Sequence, residues 1–405
     1  MSRSKGFNIV VLIFSFLFIL FLIEIGIRVF GETDSQGYFS FAGYRLDPPA
    51  TPLKRLAQEI DSYFAREHEA TIIYNKYTGW AYRPYAKLQV GAFTVNSVGI
   101  RSKREYALEP PLGTLRIALF GDSFVASEEV WDDEAWGYKL ELLLNQAGIK
   151  AEVLNFGVSG FNMGQAYLNW QHRGKLFSPD IVIFGFQPEN LDRNVNIFPH
   201  FQYPAWIVPF ARPRFVLTDG ELTLVNYPSL PPDQLLAVNE ELESHPLADY
   251  EAYHTSRDPF FRMWSFSRLA TLFHVALNQN IEQSSDDHGL HSEKGKLAIA
   301  IVDAFSKDVQ SSGANFIVLH LPGLEHLRNY FERTEASYQP LLHHLLSAFH
   351  FIDVLEFLEP KYLERDYFQP GRHYGPEINR RIAEAVAADL LTCIADRTCV
   401  SARLQ

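Results

Sequence analysis

Four residues that lie far apart in the chain could together carry acyl chemistry. Ser123 follows a short apolar run and a glycine in LRIALFGDSF (115–124). Gly160 closes GVSG within NFGVSGFN, Asn190 lies in GFQPENLDRN, and His373 lies in FQPGRHYGPEINRRIAEA. A serine hydroxyl becomes a nucleophile when a neighbouring base takes its proton, and histidine is the side chain whose ordinary pKa suits that task. A backbone N–H at a glycine and a side-chain amide are the donors that a developing oxyanion needs. Gly121 lets the backbone turn sharply, which would put Ser123 at the carboxyl end of a strand, where open α/β sheets bind ligands. The local pattern is G-D-S-F rather than G-x-S-x-G, so the elbow of the α/β-hydrolases is not indicated. Taken singly, each residue has a plainer use. Ser123 could cap a helix, Asn190 could cap a turn, and Gly160 could simply sit in a loop.

The elements around these residues repeat as strand then helix. Leu115–Phe120 has the length and apolar character of a buried parallel strand. A helix is predicted near Trp136–Gln146, where Trp136, Leu140, Leu143 and Leu144 recur at helical spacing and Gly148 ends it. Further strands are predicted at Glu152–Phe156, Asp180–Phe186, Asn315–Leu321 and His350–Leu355, with helices near Gly164–Gly174 and Lys294–Gln310. A last helix starts at Pro376 and carries Ile378, Ile382, Val386 and Leu390 on one face. Such alternation predicts an α/β fold: a flavodoxin-like, doubly wound, parallel five-stranded sheet covered on both faces. The four polar or glycine positions would then meet at its carboxyl edge. A large insertion, 197–292, is expected between the third and fourth strands. Within it RFVLTDGELTLV reads as a hairpin turning at Asp219-Gly220.

The chain of 405 residues is 47% apolar and 14% aromatic, which is ample for a large core. A formal net charge of −12 argues against nucleic acid as a partner, because phosphate binding needs a basic surface. Arg3 and Lys5 precede an apolar run from Phe7 to Ile23 that resumes through Ile25–Phe30. It is longer than the apolar part of a signal peptide and predicts a transmembrane signal anchor, with its basic end in the cytoplasm. The expected organisation is a cytoplasmic tip and anchor (1–30), a stalk or extension (31–75) and one catalytic domain (76–400). Cys393 and Cys399 could form a small-loop disulfide outside the cytoplasm. No histidine is near them in sequence, so no metal or other cofactor is expected.

As an ordered set the four segments resemble the blocks of the SGNH (GDSL-type) hydrolases, most closely their membrane-anchored or exported bacterial members. The resemblance covers about 74–392. It implies Ser123 as nucleophile, His373 as base, and an oxyanion hole of the Ser123 and Gly160 N–H groups with the Asn190 amide. The family's aspartate three residues before the histidine is replaced here by Pro370. Asp366 is the nearest upstream acid and is expected to orient His373, with Glu364 or a Ser–His dyad as the alternatives. The implied activity is a serine esterase cleaving O-acyl, above all O-acetyl, esters of envelope or exported glycans or lipids on the periplasmic side of the inner membrane. An O-acyltransferase using the same site, or a non-catalytic membrane-tethered assembly or binding protein, are the competing readings.

Overall fold

The computed structural model describes residues 2–33, 39–42, 44–46, 53–88, 93–203, 208–253, 267–273 and 288–396. Its centre is a five-stranded, wholly parallel sheet. The strands are β1 (Leu115–Phe120), β2 (Ala151–Asn155), β3 (Ile181–Phe186), β4 (Asn315–His320) and β5 (His350–Asp353). Their order across the sheet is β5-β4-β3-β1-β2. This is the flavodoxin-like winding expected from the alternation of strands and helices.

Every residue of β1 and of β3 is buried, which is why both read as near-continuous apolar runs, broken only by the buried Arg116, rather than alternating ones. The period of two nonetheless sorts their side chains. Leu115, Ile117, Leu119, Ile181, Ile183, Ile317 and Leu319 pack on one face with α1 (Trp136–Gln146) and α5 (Pro376–Ala395). Ala118, Phe120, Val182, Phe184, Phe316 and Val318 face α2 (Met163–His172), α3 (Glu293–Ser311) and α4 (Gln339–Ala348). Each such fully buried aliphatic or aromatic side chain stabilises the fold by about 1.5–3 kcal/mol.

Element boundaries follow local hydrogen bonding. The strand expected over His350–Leu355 stops at Asp353, because the Asp353 carboxylate accepts from Leu355 N at 3.0 Å and starts a short 3₁₀ turn. The last helix does begin at Pro376, behind a Gly375 cap. Between β3 and β4 the strands Arg214–Thr218 and Glu221–Val225 pair antiparallel through Asp219-Gly220. Both turn residues have positive φ, 52° and 86°, as the tight primed turn requires.

Residues 31–75 include the helix Leu53–Ala65, whose Leu56 and Ile60 are buried with Ile197, Phe198 and Leu235. The N-terminal helix Ser2–Phe30 contains a 20-residue stretch, Val11–Phe30, of mean hydropathy 2.4 with 6% buried. It is long and apolar enough to cross a membrane. Cys393 is buried in α5, while Cys399 lies outside the described residues.

Candidate active site

The four residues singled out by type and spacing all lie beyond the carboxyl ends of strands. Ser123 is the first residue of a one-turn helix, Ser123–Ala126, just past β1. Gly160 lies in the loop after β2, and Asn190 opens a second one-turn helix, Asn190–Arg193, after β3. β1 and β3 are neighbours, yet the chain between them detours through β2 at the sheet edge. Ser123 and Asn190 therefore flank the switch point of the winding, where a crevice forms in open sheets.

Asp122 binds the Ser123 and Asn190 segments together. One carboxylate oxygen accepts from Phe124 N at 2.9 Å and caps the Ser123 helix. The other accepts from the Arg193 guanidinium at 2.9 Å and from Asn190 Nδ2 at 3.3 Å. Arg193 also donates to Asn190 Oδ1 at 3.3 Å, which fixes which end of that amide carries its N–H groups. Asp122 is fully buried and Arg193 nearly so. Burial alone would weaken Arg193's hold on its proton, but Tyr203, Glu189 and Asp122 together raise its pKa above the ordinary value.

The loop after β2 is pressed against the Ser123 helix. A Cβ on Gly157 would lie 2.5 Å from Ala126 N, so only glycine permits this approach. Gly160 adopts φ 70°, the left-handed region that glycine enters without strain. Glu128 secures the same loop. Its carboxylate accepts from Tyr82 Oη at 2.8 Å and from Ser159 Oγ at 3.1 Å, and Tyr82 Oη in turn accepts from Ser159 N at 3.1 Å.

The acid beside His373 is Glu129. His373 Nδ1 lies 2.8 Å from Glu129 Oε2, and Gly371 N donates to both carboxylate oxygens at 3.0 Å. The Phe124 ring stands edge-on to the imidazole, 5.3 Å between centroids, next to Ser123 in sequence. The expectation that Asp366 orients His373 is therefore corrected. The chain does reverse at Gln369-Pro370-Gly371-Arg372, but as a narrow ribbon: Gln369 N donates to His373 O at 2.8 Å, and Phe368 bridges Tyr374. Asp366 is left further back along that ribbon, and both it and Glu364 are exposed. Pro370 occupies the second position of the turn, which its fixed φ suits.

Ser127 and Glu129 both have positive φ, 53° and 67°, on either side of Glu128. This left-handed backbone, costly for residues with a side chain, sends consecutive carboxylates to different places. Glu128 reaches the glycine loop and Glu129 reaches the histidine. Arg101, buried and stacked 4.1 Å over Phe93, pins the bend by donating to the carbonyls of Ala126, Ser127 and Val130.

Electrostatics follow from these contacts. The His373 hydrogen bond lowers the Glu129 pKa against the opposing effect of burial, with Gly371 N–H assisting. Burial works against a charged His373, but the Glu129 hydrogen bond and the charges of Glu128, Glu129 and Asp122 outweigh it and raise the pKa above 6.5. Among the described residues no group of three or more histidines, cysteines and acids could hold a metal ion. A cavity of about 600 Å³ lies beside β2, lined by Trp131, Tyr138, Arg104 and Asp132 among others, and includes neither Ser123 nor His373.

Residue type and spacing missed Glu129, Glu128, Arg101 and Arg193. The nearest signal was the acidic run SEEVWDDE that begins four residues after Ser123.

No family model and no curated protein matches this chain. Among solved structures it is similar to TesA, at 14% identity over 68% of this chain and 97% of that one, with a TM-score of 0.36. It is also similar to a putative lipolytic protein of the G-D-S-L family from Desulfitobacterium hafniense, at 9% identity over 67% and 98%, with a TM-score of 0.33. A third is an acetylxylan esterase from Geobacillus stearothermophilus, at 10% identity over 69% and 96%, with a TM-score of 0.35. At these identities and scores the likeness is slight.

Proposed function

We propose that this protein is a serine ester hydrolase of the SGNH type. The single observation that carries the reading is the Glu129–His373 pair, 2.8 Å apart, at the sheet edge where Ser123 opens its helix. With Nδ1 engaged by the carboxylate, the Nε2 lone pair of neutral His373 is free to take a proton. Ser123 Oγ attacks the acyl carbon as that proton moves to Nε2, and the carbonyl oxygen becomes an oxyanion. The Ser123 and Gly160 N–H groups and the Asn190 amide stabilise it, and loss of one such donor costs about 10²–10³ in turnover. Collapse expels the alcohol, which takes the proton from His373. Water then attacks the acyl-enzyme as His373 takes its proton, and collapse releases the carboxylic acid while that proton passes to Ser123 Oγ.

The substrates in this reading are O-acyl, above all O-acetyl, esters of envelope glycans or lipids. The N-terminal helix is a membrane anchor, and Arg3 and Lys5 keep its start in the cytoplasm while the catalytic domain lies on the other side. A fluorophosphonate probe tests the nucleophile. It is expected to label the wild type and not Ser123→Ala, and p-nitrophenyl acetate hydrolysis should be lost in the same variant. Equal labelling of both proteins would overturn the reading.

A further inference from the structure

Glu24 is an acid inside an apolar helix, within the stretch Val11–Phe30 of mean hydropathy 2.4. A carboxylate there is expensive unless partners satisfy it. Glu24 has them, one from its own helix and three from residues 267–269 far along the chain. Its carboxylate accepts from Arg268 N at 2.9 Å, Leu269 N at 2.8 Å and Ser267 Oγ at 3.0 Å, and it pairs with Arg28 Nε at 2.7 Å. Ile27, one turn further on, is buried with Phe39 and Leu46 against Leu269 and Leu272.

Segment 267–273 thus grips the helix before its apolar stretch ends. Glu24 lies six residues before Phe30, about 9 Å along the axis at about 1.5 Å per residue. Segment 267–273 sits at the same height as Glu24. The side chains left open around this grip suit a bilayer surface: Phe273 is 64% exposed, Val29 68% and Phe30 80%. Arg28 and Arg268 lie close enough to repel one another, and Arg268 stacks 4.7 Å over Phe39. From this depth the long arginine side chains can snorkel up to the phosphates of lipid headgroups, with their stems along apolar surface.

We propose that residues 267–273, with Arg28 and Arg268, form a surface that lies in the headgroup layer of the phospholipid bilayer, so that this part of the chain between β3 and β4 contacts the membrane beside the helix. This rests on the reading of the N-terminal helix as a membrane anchor. The partner is the headgroup layer of the bilayer into which that helix inserts.

Photocrosslinking of the full chain tests it. Benzoylphenylalanine is placed at Leu17, Phe273 or Leu112 in protein reconstituted into phosphatidylcholine–phosphatidylglycerol vesicles, and lipid adducts are read by mass spectrometry. Adducts are expected at Leu17 in the helix and at Phe273, but not at Leu112, which is 98% exposed on the body. Glu24→Ala is expected to lower the Phe273 adduct several-fold and to leave the Leu17 adduct unchanged. Adducts at Leu17 with none at Phe273, or as many at Leu112 as at Phe273, would overturn the inference and leave the anchor standing. An unchanged Phe273 adduct in Glu24→Ala would overturn the grip. No adduct at Leu17 would overturn the anchor itself.

Discussion

Of the three carboxylates within six residues of Ser123, Asp122 and Glu129 are used in opposite ways. Asp122 is fully buried and paired with Arg193, a cation whose pKa is raised beyond its ordinary value. Glu129 is paired with His373, and the side chains of that pair are 25% and 18% exposed. A pair with a permanently charged partner cannot exchange protons at working pH; it can only hold geometry. A pair with an imidazole can do both. Asp122 therefore fixes the Ser123 helix and the Asn190 amide, and Glu129 acts on His373, the base of the proposed reaction.

The largest expected effect is on Glu129. Glu129→Gln should cut turnover by about 10³–10⁴, as loss of the orienting carboxylate does in a Ser–His–acid site. At a pH where His373 is neutral the melting temperature should move little, since the amide oxygen still accepts from Gly371. Asp366→Asn, an exposed change, should leave turnover within about twofold. Steady-state kinetics beside thermal melts would separate the two, and a Glu129→Gln enzyme of normal turnover would remove the distinction.

Asp122→Ala should fail differently. It removes the buried one of Arg193's two carboxylate partners, with Glu189 remaining at 2.9 Å, and breaking such a buried pair costs up to about 3–5 kcal/mol. Urea denaturation should show the loss directly, and an unaltered midpoint would mean that Asp122 is not the structural member of the two.

The pH profile sharpens the comparison next. Only neutral His373 can accept a proton, and its pKa is raised above 6.5. The kcat/KM of the wild type should therefore climb through an apparent pKa above 6.5, and in Glu129→Gln that value should fall. Stability runs the other way. The raised His373 pKa contributes stability that is full below 6.5 and lost as pH rises through the folded value. The lowered Glu129 pKa contributes stability that is full above 4.5 and lost as pH falls through its folded value. Between those limits the pair stabilises most while the base is mostly protonated. A kinetic pKa identical in wild type and Glu129→Gln would break the assignment.

The smallest expected effect lies at Arg372, exposed at φ 69° in the turn before His373. Glycine adopts that conformation without strain, so Arg372→Gly should stabilise the protein by up to about 1 kcal/mol in a thermal melt. A destabilised variant would mean that the arginine side chain contributes more than its backbone costs.

The sheet was legible because fully buried parallel strands leave unbroken apolar runs such as IVIF and FIVL, and the helices between them leave a 3.6-residue stripe. Ser123, Gly160, Asn190 and His373 were legible because each follows such a run, where chain direction alone puts it on one edge. Glu129 was not. It stands among Glu128, Asp132, Asp133 and Glu134, and residue type cannot choose between them. The choice is made by two left-handed residues and by Arg101, which comes from a different part of the chain and binds three carbonyls. Nearness in sequence favoured Asp366, but the ribbon pairs Gln369 with His373 and leaves that acid behind.

The partners of the Glu129–His373 pair are 244 residues apart in the chain. Synthesised at about 5–20 residues per second, a chain would carry its serine and glutamate for about 12–50 s before the histidine is made. The final ribbon and α5 also belong to the last part of the sheet's cover to be synthesised. In the proposed reading Ser123 has no base until His373 has been made and the ribbon has folded, so hydrolysis would report that this last part of the sheet's cover is in place.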